Sequence, residues 1–249
     1  MTRENFTAIA VVIDASSSMR DLTGDTIGSF NQFLEEQQAV PGEAALTLCI
    51  FNTDYRLLHD FIPLSSVGKL SKETYRCNGM TALLDAMGTT IDALGQKLAV
   101  MPEQERPSKV IVLVITDGEE NQSHRFNLEQ IKEKITHQRE VYSWEFVFMG
   151  ANIDAIGAGT SLGITAANSL QYDATSVGTR SLYSSVSSNM SSYRLASNRS
   201  QVDFFNQQPA PPVDVTVTKT DVVNTPVSTP APVITTFDPG HPFPTTGQK

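Results

Sequence analysis

Five oxygen-bearing side chains stand out by type and position. Asp14, Ser16 and Ser18 close the first apolar run in AIAVVIDASSSM (residues 8–19), Thr81 opens a helical segment after the turn CNGM, and Asp117 ends the run VIVLVIT inside TDGEEN. Each alone has an ordinary explanation, with Ser16, Ser18 and Thr81 as helix caps and Asp117-Gly118 as a turn. Together they are two carboxylates and three hydroxyls without a His or Cys, a hard donor set that prefers Mg2+ or Mn2+ to zinc or copper. Neutral hydroxyls coordinate without cancelling the ion's charge, which leaves the metal electrophilic toward an incoming carboxylate.

Ligands of an open α/β sheet bind outside the carboxyl ends of its strands, near the point where strand order reverses. Such a site needs buried parallel strands behind it. The chain supplies continuous apolar runs at Ala8–Ile13, Leu46–Phe51 and Val110–Ile115, and a fourth, once interrupted, at Trp144–Met149. Continuous rather than alternating hydrophobicity marks strands covered on both faces. Leu57–Ile62, just after NTDY, reads as a short edge strand joined to its predecessor by a turn. Leu84, Met87, Ile91, Leu94 and Leu98 form one stripe on a helix over 81–99. Ile27, Phe30 and Leu34 after Asp25 form another, and Leu128, Ile131 and Ile135 a third, where Asn127 and Gln130 have the spacing of an N-cap pair. This alternation predicts an α/β fold, a doubly wound and mostly parallel sheet with one antiparallel edge strand and helices on both faces.

Residues 176–200 carry ten serines, yet Leu182, Val186, Met190 and Tyr193 keep helical spacing. The segment 176–205 therefore reads as a final amphipathic helix with a serine-rich outer face, packing on or extending a domain at 1–175. Nine of the thirteen prolines fall within 206–249. That stretch lacks the apolar periodicity needed to offset ordering entropy and reads as a Pro/Thr-rich, disordered tail.

A formal net charge of −9 disfavours nucleic acid, whose phosphates need a basic surface, and suits a divalent cation or a basic protein. No stretch approaches the roughly 20 apolar residues of a membrane span, and the run at 8–13 is too short for the core of a signal peptide. Cys49 and Cys77 make no framework of disulfides or zinc ligands. A cytoplasmic protein with reduced thiols is the simplest account.

The motif D-A-S-S-S at Asp14–Ser18, the Thr81 of NGMTALLDA and the Asp117 of ITDGEEN resemble, in order and strand context, the metal-ion-dependent adhesion site (MIDAS) of the von Willebrand factor type A (VWA) domain. The resemblance covers roughly residues 6–173, including FVFMGANIDA after the fifth strand, and is closest to compact intracellular members from bacteria and phages. It implies a Rossmann-like VWA fold in which Ser16, Ser18 and Thr81 give oxygens to Mg2+ or Mn2+ while Asp14 and Asp117 bind directly or through water. It also implies an open coordination position, filled by a Glu or Asp of a protein partner. Ser17 stands where many relatives have Gly between the motif serines, and Met80 where they often have Gly before the Thr. Neither removes an oxygen, and Met80 is either a partner-facing apolar contact or a filler of a local gap.

Other polar residues lie nearby. Glu119, Glu120 and Asn121 follow Asp117 and either tune the site or are solvated residues of the next loop. Asp85, one helical turn past Thr81, is either a support for that hydroxyl or a surface acid. His124 reads as an exposed loop residue, Asp21 and Asp25 as acids suited to a helix N-terminus, and Asn152 and Asp154 as caps at the binding edge.

The leading expectation is a Mg2+-dependent protein-protein interaction module without catalysis of its own. An alternative is a scaffold, assembly or virion-associated phage component that uses its tail, whose apolar spots at 213–217, Phe237 and Phe243 suit a groove. A third, a metal-dependent hydrolase or phosphotransferase, would want a second carboxylate where Ser16 stands and a Lys aimed at phosphate, whereas Lys109 sits before its strand, at the wrong end. The oligomeric state is not legible.

Overall fold

The computed structural model describes residues 2–196 and 203–205. The elements run β1 (Arg3–Asp14), α1 (Thr23–Ala39), β2 (Glu43–Phe51), β3 (Tyr55–Pro63), α2 (Leu83–Val100), β4 (Pro107–Thr116), α3 (Leu128–Tyr142), β5 (Glu145–Ala151), α4 (Ala155–Ser161), β6 (Ser169–Tyr172) and α5 (Ser176–Leu195). One six-stranded sheet has the order β3-β2-β1-β4-β5-β6. All its pairings are parallel except β2 with β3, the antiparallel edge. Strand order reverses between β1 and β4, and that is where a doubly wound sheet opens a crevice.

The period of two along each strand separates the core into two layers. Ile9, Val11 and Ile13 of β1, Ile111, Leu113 and Ile115 of β4, and Val147 and Met149 of β5 pack with Phe30, Phe33 and Leu34 of α1 and with Leu182, Val186 and Met190 of α5. Ala8, Ala10 and Val12, Val110, Val112 and Val114, and Phe146 and Phe148 face the other way, against Met87, Ile91 and Leu94 of α2 and Ile131 and Ile135 of α3. Each fully buried Leu, Ile or Val side chain contributes about 2 kcal/mol relative to exposure. The two layers of apolar packing therefore hold β1 and β4, and the residues at their ends, in one register.

The expected N-cap pair closes as a capping box, in which Gln130 N–H donates to Asn127 Oδ1 (2.9 Å) and Asn127 N–H to Gln130 Oε1 (3.0 Å). Two elements escaped the sequence reading: α4, seven residues with two glycines, and β6, four residues of an edge strand. Segments that short carry almost no periodicity and exist because β5 offers an edge to pair with and a face to cover. Thr81 does not open α2. The helix begins at Leu83, and Thr81 lies in the loop before it.

Helix α5 is part of the core. It packs on α1, with Leu182, Tyr183, Val186, Met190 and Tyr193 buried, while Gln37 Nε2 of α1 donates to the hydroxyl and carbonyl oxygens of Ser187 (3.2 and 2.9 Å) and to the hydroxyl of Ser191 (3.0 Å). Its first turn is tied to α1 through Asp25, which accepts from Ser176 Oγ (2.6 Å) and pairs with Arg180 (3.6 Å). Lys109 lies inside β4, paired with Thr7, and not ahead of the strand as expected. Its ammonium donates to the carbonyls of Tyr193 (2.7 Å), Arg194 (2.8 Å) and Ala196, the C-terminal turn of α5. At 203–205 the chain returns to the sheet, where Phe204 is buried and its N–H donates to Asn168 Oδ1 (2.8 Å). The tail expected at 206–249 lies outside the described residues. Among the described residues no helix is long and apolar enough to cross a membrane.

Candidate metal centre

Asp14 is the last residue of β1, in the position after Ile13, which pairs with Ile115 of β4. Its side chain is fully buried and reaches across to β4, where Thr116 Oγ1 donates to Oδ2 (2.6 Å), while Ser16 N–H donates to Oδ1 (2.7 Å). Its carbonyl accepts from the buried Tyr75 hydroxyl (2.6 Å). The chain then turns outward through Ser17–Leu22, a 3-10 segment. Ser16 Oγ and Ser18 Oγ lie 3.0 Å apart, and Ser18 Oγ donates to Asp117 Oδ1 (2.6 Å). The end of β1 and the end of β4 are thereby joined through side-chain oxygens across the switch point.

The third segment arrives from the loop before α2. A Cβ built on Gly118 would lie 3.5 Å from Thr81 Oγ1 and 3.6 Å from Ser18 Oγ, so both hydroxyls stand beside Gly118. Backbone bonds hold this loop in place. Ser17 N–H donates to Gly79 O (3.1 Å), Asn78 N–H to Ala15 O (2.9 Å) and Ala82 N–H to Asn52 O (2.9 Å). Thr81 and Asn121 are bonded in both directions, Thr81 N–H to Asn121 Oδ1 (2.9 Å) and Asn121 N–H to Thr81 O (3.1 Å). All five predicted oxygens, Asp14, Ser16, Ser18, Thr81 and Asp117, thus gather at the carboxyl ends of β1 and β4.

The neighbouring residues divide by role. Asn121 braces Thr81. Met80 is 47 % exposed at the rim, and its N–H donates to Thr53 Oγ1 (3.0 Å), so it fills no gap. Glu119 is exposed. Glu120 fits neither alternative, tuning of the site or a solvated loop position, and accepts from the N–H groups of Leu84 (2.9 Å), Gln122 (2.8 Å) and Ser123 (2.7 Å), fixing the β4–α3 loop onto the start of α2. Asp85 does not support Thr81 but accepts from the N–H groups of His124, Arg125 and Phe126, each at 2.9 Å. Asp154 caps α4, accepting from Gly157 N–H (2.9 Å). Asn152 follows β5 with a left-handed backbone at φ 56°.

Neither Ser17 nor Met80 needs the conformational freedom of glycine. The left-handed residue of this region is Gly79 (φ 73°), where a Cβ would stand 2.7 Å from Thr53 Oγ1. Sequence reasoning missed Gly79, Tyr75 and Thr116. Thr116 had a signal, because a residue one place before Asp117 on a strand beside β1 is in register to meet Asp14.

The electrostatics suit a cation. Burial pushes the Asp14 carboxyl up to about 6, and the charge of Asp117 adds to the rise, against the hydrogen bonds from Thr116 and Ser16 that lower it. Burial also raises Asp117, opposed by the Ser18 hydrogen bond. Among the described residues neither carboxylate makes an ion pair with Lys, Arg or His. Two buried like charges whose side chains bond to hydroxyls and one backbone amide are what a divalent cation would relieve. No cluster of three His, Cys, Asp or Glu occurs among the described residues, so an ion held here must draw on the hydroxyls. The donor set fits Mg2+ or Mn2+.

The strand order with its antiparallel edge, and the loops converging at the switch point, define a Rossmann-like VWA fold. Two solved structures agree on that fold. A D319A mutant of the PilB minor pilin from Streptococcus sanguinis superposes with a TM-score of 0.53 at 12% identity, covering 77% of this chain and 63% of that one. Proximal thread matrix protein 1 from the mussel byssus superposes at 0.51 with 14% identity, over 74% of this chain and 46% of that one. The von Willebrand factor type A protein of Catenulispora acidiphila aligns at 0.49 with 12% identity, over 74% and 42%. The chain thus spans about half the length of these proteins, and identities this low speak to fold alone. No protein-family model matches the sequence, and no curated protein matches it.

Proposed function

We propose that this chain is a divalent-metal-dependent protein-binding module. In this reading Ser16, Ser18 and Thr81 supply neutral oxygens to Mg2+ or Mn2+, and Asp14 and Asp117 hold the ion directly or through water. The ion, when bound, offers an open position to a Glu or Asp of a partner protein. Tyr75, Thr116 and Asn121 orient the donors, and the backbone bonds from Ser17 to Gly79 and from Asn78 to Ala15 keep the three loops in register. The chain itself does no chemistry.

The observation that carries the reading is the convergence of two buried carboxylates and three hydroxyls at the switch point, with no cationic side chain among the described residues paired to the carboxylates. Thermal unfolding with Mg2+, Mn2+ or EDTA tests it, with Thr81→Ala as control. Wild type gains several degrees with either ion and loses them in EDTA, and the variant does not respond. Identical curves in all three conditions would remove the metal from the account.

A further inference from the structure

We infer that the partner presents a second acidic side chain, three residues along a polyproline-II segment from the one at the metal, to a cleft walled by Arg56 and Arg76. This inference rests on the metal-bridging reading for its first anchor and on separate residues for its second. On the β3 side of the candidate metal centre a cavity of about 270 Å³ is bounded by Phe51, Asn52, Asp54, Arg56, Arg76 and Asn78. Two guanidinium groups face it against one carboxylate, in a chain whose net charge is −9. Both arginines are exposed, and among the described residues neither makes an ion pair. Arg56 donates to Thr74 O, which steadies its side chain along the cavity wall. On the other side of the centre the exposed rim residue after Asp117 is acidic, Glu119. An acidic segment is therefore drawn toward Arg56 and Arg76 and away from Glu119.

The cleft and the metal loops are built as one unit. Asn78, a wall residue, donates its N–H to Ala15 O (2.9 Å), next to Asp14, and its side chain accepts from Asn52 Nδ2. Asn52 O accepts from Ala82 N–H (2.9 Å), next to Thr81. The spacing follows from the sheet. Phe51 of β2 pairs with Asp14, and Arg56 of β3 pairs with Ile50. Two strand spacings of roughly 4.8 Å separate β1 from β3, about three residues of polyproline-II peptide, whose side chains return to the same face every third residue. Arginine suits the second anchor because its planar fork takes a carboxylate through two hydrogen bonds.

Two acetylated and amidated hexapeptides serve as probes, Gly-Glu-Gly-Gly-Glu-Gly and the same peptide with Gln for its second Glu. Each is titrated by NMR into wild type, Thr81→Ala and Arg56→Ala/Arg76→Ala, in Mg2+ and in EDTA, with Mn2+ binding and near-UV circular dichroism confirming that the double variant is folded and its metal site intact. The two-Glu peptide should bind wild type about fivefold more tightly than the Gln peptide, a preference weakened by salt and lost in the double variant. In EDTA its residual binding should persist in Thr81→Ala and vanish in the double variant. Equal affinity of the two peptides for wild type, or an unchanged preference in the double variant, overturns the inference. Coincident Mg2+ and EDTA curves with the arginine-dependent preference intact would instead overturn the metal reading and leave the cleft standing.

Discussion

The two ends of the sheet handle buried charge in opposite ways. At the amino ends of the strands, the Lys109 ammonium is surrounded by the last carbonyls of α5, and the Arg194 guanidinium donates to the carbonyls of Gln37, Val40 and Gly42 at the end of α1. At the carboxyl ends, Asp14 and Asp117 are bonded to the hydroxyls of Thr116 and Ser18 and to the amide of Ser16. Carbonyls at a helix end have nowhere else to go, so the cations there are part of the fold. Hydroxyls rotate, and can exchange an intraprotein hydrogen bond for a metal ion. The same sheet thus carries a closed structural edge and an open one, where the proposed metal centre lies.

Lys109→Met should break that contrast from the structural side. It strips several α5 carbonyls of their donor and costs about 3 kcal/mol in urea-induced unfolding, with no change in metal response. Asp14→Asn acts in the other direction. The Asp14 carboxyl, raised to about 6 in the fold from its ordinary 3.8, binds a proton more tightly folded than unfolded. Its favourable contribution is complete below about 3.8 and is lost as pH rises through 6. At pH 7 and without metal, Asp14→Asn is therefore more stable than wild type by on the order of 2 kcal/mol, loses the fall in stability between pH 4 and 6, and no longer responds to Mg2+. A metal-free variant less stable than wild type at pH 7 would show that the carboxylate is not strained by burial.

Smaller changes sharpen the comparison within the open edge. Gly79→Ala forces a side chain onto a left-handed backbone against Thr53 and should cost about 1.5 kcal/mol and weaken Mn2+ binding. Asp85→Asn removes the charged acceptor of three loop amides and should cost about 1 kcal/mol at neutral pH. Because the fold holds Asp85 below its ordinary value, that cost is present above about pH 4 and shrinks toward zero as pH falls through the lowered value, in pH-dependent urea titrations. Ser17→Gly should stay within about 0.5 kcal/mol of wild type and leave Mn2+ affinity unchanged, since Ser17 contributes its N–H to Gly79 O and has no need of a left-handed backbone.

The four long apolar runs were legible as strands because burial on both faces leaves no polar position to confuse the pattern. The candidate ligands were legible because Asp14, Ser16, Ser18, Thr81 and Asp117 each end or follow such a run or precede a strong helical stripe. Elements α4 and β6 were not, because four to seven residues hold too little periodicity and are decided by the neighbour they pair with. The supporting roles of Tyr75, Glu120 and Asp85 were hidden for a different reason, since each acts on a backbone group 36 to 61 residues away.

By itself the sequence determined the layered α/β architecture, the edge of the sheet where oxygens collect and the chemical hardness of that set, because these depend on residue type and local period alone. Only the tertiary structure decided that β1 and β4 are neighbours at the switch point, that the Asp14 carboxyl is buried beside Asp117, and that Arg56 and Arg76 share a cleft with the loop carrying Asn78. Those facts depend on long-range packing, which places residues from distant parts of the chain side by side and determines how much water their charges retain.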